Sequence, residues 1–267
     1  MNAHQKRWIT AAVAVPVILI LIVYCSEAVF ALFITALVLS ALAEYGQMVF
    51  GKGMPLEKSQ MLAAGILLMA SAYFGDIDTL HAVITFTVLG AFILFLLRIR
   101  QAPSSLDSLL KIVFGVFYIA LTMSFFILTR SGENGRIWIF FLIILAFAND
   151  VSAFYVGRTW GKRKLIPLVS AGKTVEGSIA GILGAIVACS IYFIFFFKNI
   201  PVIHAVILGL IGSIFGQLGD LCESTIKRVS RVKDSGTFFP GHGGILDRLD
   251  AFIFIVPFVY FYKLFIL

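Results

Sequence analysis

The chain has 267 residues, 60% of them hydrophobic and 13% charged, against roughly 45 to 50% apolar in an ordinary soluble domain. Lys and Arg number 21 against 14 Asp and Glu, a formal net charge of +7. That basic excess is interleaved with long apolar runs, which fits anionic lipid headgroups and leaves no case for nucleic acid. A spanning helix consumes about 20 residues, so no separate soluble domain fits, and Cys25, Cys189 and Cys222, with no CxxC or metal-type spacing, read as buried small hydrophobes.

In chain order the hydropathy gives nine apolar segments, about 8 to 26, 28 to 49, 59 to 75, 79 to 97, 109 to 129, 136 to 157, 175 to 197, 202 to 226 and 246 to 266. The first follows Lys6 and Arg7 without a small-x-small cleavage site, and reads as an uncleaved helix. Turn residues punctuate the breaks, as at Gly51 to Pro55 and Ser131 to Gly135. The fold class is therefore an all-α polytopic bundle of about nine transmembrane helices.

Charge gives an independent orientation, because Lys and Arg concentrate in cytoplasmic loops. With the N-terminus inside and the C-terminus outside, the outer side keeps only Arg130, Arg136, Lys198 and Lys263 of the 21 basic residues. Two cytoplasmic loops, after the sixth and eighth segments, are richest in bases: Arg158 to Lys173, and Lys227 to Arg248. We divide the chain into 1–135, five helices of scaffold and lipid access, and 136–267, four helices with the chemistry.

Acids occur where apolar residues are expected. Asp150 lies within the sixth segment, seven residues before Gly157 ends it, and Asp220 within the eighth, seven residues before Lys227, or roughly 10 Å deep at 1.5 Å per residue. A carboxylate in lipid costs about 2.5 to 3.5 kcal/mol, so such groups face a protein interior or a wet cavity. Asp220, Glu223, Ser224, Lys227 and Arg231 follow i, i+3, i+4, i+7 and i+11, one helical stripe, and Asp247 and Asp250 share a face at the start of the ninth segment. Oxygen ligands without a His or Cys cluster suit a hard cation such as Mg²⁺.

Ser235 to Gly244, SGTFFPGHGG, is a turn-rich loop whose glycines let backbone N–H groups approach an anion. His242 within it is a general acid, a hydrogen-bond donor to phosphate or a structural contact. SAGKTVEG resembles a P-loop end, but Pro167 stands where its first glycine should, so an ATPase fold is rejected. Lys173 and Thr174 are still placed to meet phosphate at a helix N-terminus, while Gly177, Gly181 and Gly184 read as helix-packing positions.

Ser224 to Asp250, STIKRVSRVKDSGTFFPGHGGILDRLD, resembles the defining pattern of the phosphatidate cytidylyltransferases, or CDP-diacylglycerol synthases. The residues that carry the likeness are Ser224, Lys227, Arg228, Lys233, Asp234, Gly236, Pro240, His242, Gly243, Gly244, Asp247, Arg248 and Asp250. Upstream, Asn149, Asp150, Tyr155, Gly157, Gly161, Lys162, Ser170, Lys173, Thr174, Glu176 and Gly177 also fall in place, with departures at Ala171 and Val175. From residue 1 to about 140 the likeness rests on length and hydropathy.

The resemblance implies attack of the phosphate of phosphatidic acid on the α-phosphorus of CTP, giving CDP-diacylglycerol and pyrophosphate. It implies Mg²⁺, with room for a second cation such as K⁺, a homodimer, and a bacterial-type inner membrane with the active site facing the cytoplasm. Together with the helix faces it favours Asp220 and Asp247 as metal ligands, with Asp250, Asp150 and Glu223 as further or alternative ones. Lys227, Arg228, Lys233 and Arg248 would neutralise phosphates. Asp234, Gly243, Gly244 and His242 would orient the nucleotide, and Asn149, Ser170, Lys173, Thr174, Glu176 and Ser224 would complete the substrate site. A CTP-dependent lipid kinase and an ion-coupled transporter are the other readings of intramembrane acids beside basic loops.

Overall fold

The computed structural model describes residues 16–75, 77–98, 106–236 and 243–267. Lys6, Arg7, Arg100, Pro240 and His242 lie outside the described residues. Almost everything described is helix, and seven helices are long and apolar enough to cross a membrane. A rod that spans lipid must satisfy its backbone polar groups internally, which the helix does by its own hydrogen bonds. Large side chains such as Phe86, Phe154, Phe195 and Leu183 remain exposed, as a lipid-facing surface requires. The protein is an integral membrane protein of the all-α class.

The chain forms two compact units, one of Met1–Ser131 with Asp234–Asp247, the other of Gly132–Lys233 with Arg248–Leu267. The short stretch Asp234–Asp247 is grouped with the N-terminal helices rather than with the helices on either side of it in sequence.

In the first unit, α1 is described over 16–23 and α2 (Glu27–Phe50) starts at Ser26, whose hydroxyl accepts the Val29 N–H. α3 (Pro55–Phe74) opens on proline, where the missing N–H costs nothing. It starts earlier than hydropathy suggests because Glu57 and Lys58 occupy its first turn. α4 is Ile77–Arg98. α5 (Leu106–Gly115), a π-helical turn (Val116–Leu121) and α6 (Thr122–Ser131) run as one rod. Val38, Leu42, Met61, Ile119 and Met123 are fully buried and form the centre of this unit. The Tyr45 hydroxyl donates to the Lys111 carbonyl at 3.1 Å, just before the wide turn.

The second unit holds α7 (Gly135–Trp160), α8 (Val175–Phe196), α9 (Val202–Val229) and α10 (Leu246–Ile266) from Arg248 onward. Trp138, Phe141, Phe193 and Phe197 pack as an aromatic cluster near one end. Gly177, Gly181 and Gly184 do face α7, as the small-residue reading anticipates: a Cβ at Gly181 would stand 2.7 Å from Asn149 Oδ1.

Three expectations are corrected. The loop between α7 and α8 holds a short antiparallel hairpin, β1 (Lys164–Ile166) with β2 (Ser170–Thr174), so the chain is not purely helical. Arg231 does not extend the stripe of Asp220: α9 ends at Val229, and Arg231 sits beyond it with φ of +58°. Of the cysteines only Cys189 is buried; Cys25 is half-buried and Cys222 is exposed on α9.

Candidate active site

Within the second unit a polar chain crosses the interior. Asn149 on α7 is buried, and its Oδ1 accepts from the Ser213 hydroxyl at 2.6 Å and from Gln217 Nε2 at 2.9 Å, both on α9. Gln217 also donates to the Ser178 carbonyl of α8 at 3.1 Å, and the Ser178 hydroxyl donates back to Gln217 Oε1. Buried amides need such partners, since each unmet one costs about 1 to 3 kcal/mol. The Asn149 Nδ2 group donates to Asp150 Oδ1 at 3.1 Å. Asn149 is thus wired into the helix interior and orients the acid beside it.

Asp150, Asp220 and Asp250, from α7, α9 and α10, lie close enough to act on one another's charge. Gly219 lets this happen on the α9–α10 side, because a Cβ there would collide with the Asp250 carbonyl oxygen. Lys173, from β2, answers the acids by pairing with Asp220 at 2.5 Å, and its charge also acts on Asp150 and Asp250. The Ser224 hydroxyl donates to Asp220 Oδ1 at 3.4 Å, Asp250 Oδ1 accepts the Ala251 N–H at 2.7 Å, and Arg248 acts on Asp150. Three carboxylates with one close lysine form a locally anionic patch in a basic protein.

Other candidates have structural partners here. Glu223 is fully buried and paired with Lys227 at 2.5 Å, one helical turn away. Arg228 donates to the Val169 and Val232 carbonyls, tying the hairpin to the end of α9. The Thr174 hydroxyl caps α8 by accepting the Gly177 N–H, and Glu176 accepts from the Lys162 and Arg163 N–H groups and pairs with the Arg163 guanidinium. Ser170 sits in β2, half-buried, while Lys233 and Asp234 are exposed. An open apolar groove of about 700 Å³ lies between α7 and α8, lined by Val151, Tyr155, Trp160, Ile179 and Leu183. Its surface suits acyl chains, and Asp150, Asp220 and Asp250 are not among its walls.

In the first unit Asp247 stands in the first turn of α10, and its Oδ2 accepts from the Ser235 N–H (3.1 Å), the Ser235 hydroxyl (2.9 Å) and the Gly244 N–H (2.8 Å). Gly243 has φ of +83°, a backbone state that glycine adopts without strain. An unanticipated residue joins this cluster: Glu44 of α2 accepts from the Ile245 and Leu246 N–H groups and from the Ser235 hydroxyl, each at 3.0 Å. The signal that marks Asp150, an acid inside an apolar segment, was equally present at Glu44.

Among the described residues no three His, Cys, Asp or Glu side chains stand close enough to form a metal cage by themselves. Mg²⁺ does not ask for one, since it usually takes one or two carboxylates and completes its shell with water and substrate phosphates. The separated carboxylates of Asp150, Asp220 and Asp250, all hard oxygen donors, fit an ion held jointly with a polyphosphate.

The chain matches the cytidylyltransferase family over residues 5–266. It is 38% identical over 209 residues to a phosphatidate cytidylyltransferase of Bacillus subtilis (strain 168), covering 78% of this chain and 72% of that protein. It is 41% identical over 142 residues to the phosphatidate cytidylyltransferase of Staphylococcus haemolyticus (strain JCSC1435), 53% of this chain and 54% of that one. With the Staphylococcus aureus (strain COL) protein of the same name the identity is 42% over 144 residues, again 53% and 54%. The alignments therefore span about half the length of the staphylococcal relatives and nearly three quarters of the Bacillus one. An acid-lined, lysine-answered site between membrane helices, in a chain matched along almost its whole length, belongs to a member of the cytidylyltransferase family.

Proposed function

We propose that this protein transfers CMP from CTP to phosphatidic acid, forming CDP-diacylglycerol and releasing pyrophosphate. The observation that carries the reading is the cluster of Asp150, Asp220 and Asp250 answered by Lys173, in a chain whose relatives bear that enzyme's name.

The chemistry asks little of a general base. The lipid phosphate monoester, with a second pKa of about 6, is already largely ionised at pH 7. One of its oxygens attacks the α-phosphorus, a P–O bond forms, and the bond to the pyrophosphate oxygen breaks. The obstacle is charge: like unit charges 4 Å apart repel by about 4 kcal/mol at an effective dielectric of 20. Mg²⁺, when bound, would supply Lewis-acid neutralisation of the phosphate charge. Asp220 and Asp247 are our first choices to hold it, with Asp250, Asp150 and Glu223 as alternatives, and a second cation such as K⁺ belongs to the same proposal.

Lys173, Lys233 and Arg248 would offset phosphate charge, with Lys227 and Arg228 supplementing them from the end of α9. Asn149 would hold Asp150 in orientation. Asp234, His242 and the Gly243–Gly244 backbone would meet the nucleotide, and Ser170, Thr174, Glu176 and Ser224 would shape the wall around it. We further propose nine spans with the N-terminus inside and the C-terminus outside, a cytoplasm-facing site in a bacterial inner membrane, and a homodimer. The positive-inside distribution supports the orientation.

Radiolabelled CTP and phosphatidic acid in mixed micelles, with and without Mg²⁺, test the reaction. Metal-dependent labelled CDP-diacylglycerol with stoichiometric pyrophosphate is the expected result. Release of CDP with transfer of the γ-phosphoryl group, or no labelled lipid from folded protein, would overturn it.

A further inference from the structure

We infer that Glu44 is a positioning residue for the reaction, holding the start of α10 and the Ser235 side chain so that the Asp247 carboxylate is fixed; the inference rests on the role proposed above for Asp247. The Ile245 and Leu246 N–H groups, at the beginning of α10, are among those that a helix cannot satisfy internally. Glu44 takes one with each oxygen, at 3.0 Å, and brings a negative charge to the helix end that favours it.

The Ser235 hydroxyl lies 3.0 Å from Glu44 Oε2 and 2.9 Å from Asp247 Oδ2, and its single proton is shared between the two carboxylates. Asp247 Oδ2 is further held by the Ser235 and Gly244 N–H groups. An acid with one oxygen held by two backbone donors keeps its other oxygen in a defined direction.

Two motif glycines give independent support. A Cβ at Gly236 would collide with Glu44 Oε1, and a Cβ at Gly244 would collide with both Glu44 Oε2 and Ser235 Oγ. These glycines are needed to admit a carboxylate from the protein itself. The first turn of α10 therefore already holds the Glu44 carboxylate.

Glu44→Gln keeps the size but offers an NH₂ group where an N–H or O–H already points, a donor against a donor. Steady-state kinetics on the purified full chain, with Asp247→Asn measured in parallel, would show kcat lower by about 10 to 100-fold, the usual cost of losing a group that orients a ligand. The Mg²⁺ concentration for half-maximal rate should rise, while KM for phosphatidic acid moves less than about twofold, since uniform lipid binding is untouched. Wild-type kcat and Mg²⁺ dependence in Glu44→Gln, beside an inactive Asp247→Asn, would overturn the inference. Full activity in Asp247→Asn would instead overturn the role given to Asp247.

A second arm does not depend on the Gln variant folding. Gly236→Ala, whose new Cβ would meet only Glu44 atoms at close range, should lose activity, and Glu44→Asp, one methylene shorter, should restore a measurable part of it in the double variant. No recovery from that shortening would mean that Gly236 serves something other than Glu44.

Discussion

The two units both place carboxylates among membrane helices, yet treat them in opposite ways. In the first, Glu44 and Asp247 accept from the N–H groups of Ser235, Gly244, Ile245 and Leu246, with the Ser235 hydroxyl between them. In the second, Asp150, Asp220 and Asp250 lie within electrostatic reach of one another, with Lys173 paired to Asp220. Under the function proposed above, backbone donors would fix Asp247 in place as a ligand, and the mutually repelling carboxylates of the second unit would add the charge that attracts a cation.

The strongest way to break this comparison is Asp220→Asn. It removes one acid and the partner of Lys173 while keeping shape, and turnover should fall at least a hundredfold, the scale of losing a group that stabilises charge in the transition state. A variant with near wild-type, Mg²⁺-dependent turnover would remove the second unit's cluster from the chemistry.

Lys173→Met sharpens the same contrast through opposite signs. Taking a positive charge from among three acids should lower the Mg²⁺ concentration for half-maximal rate, yet raise KM for CTP by about tenfold, a change of ~1.4 kcal/mol. Parallel movement of the two constants would show that Lys173 acts through structure alone.

Asn149→Ala tests the wiring. The Ser213 hydroxyl and Gln217 amide would lose an acceptor in a dry interior, at about 1 to 3 kcal/mol for each donor stranded. The melting temperature in detergent should fall by several degrees, and an unchanged transition would mean that the network relaxes onto other partners. Tyr45→Phe gives the smallest effect: one hydrogen bond to the Lys111 carbonyl lost, about 1 kcal/mol, with kcat retained. If its kcat falls as far as that of Glu44→Gln, the neighbourhood matters more than the carboxylate.

Helix ends were largely legible, because apolar runs and turn residues coincide: 28 to 49 became Glu27–Phe50, and 246 to 266 became Leu246–Ile266. Acids inside those runs pointed to Asp150 and Asp220 for the same reason, that lipid penalises them. Glu44 carries the same mark, eight residues before Lys52, but its partners are 191 to 202 residues away in the chain. No local pattern encodes that. Arg231 was misplaced because periodicity does not announce where a helix stops, and the hairpin was missed because a strand of three residues shows no alternation. Pairing such as that of Glu223 with Lys227 was readable as spacing, but its burial is set by neighbouring helices.

The long reach of Glu44 has a consequence for how the protein is made. Glu44 enters the bilayer with α2, six residues before that helix ends, while its donors at 235, 245 and 246 are still untranslated. At roughly 5 to 20 residues per second the wait is on the order of 10 to 40 s. The first unit thus begins earliest and closes among the last, sealed by a segment from near the end of the chain. A nascent chain stalled before residue 234 would hold the Glu44 carboxylate with none of its eventual donors, the form that membrane quality control would meet first.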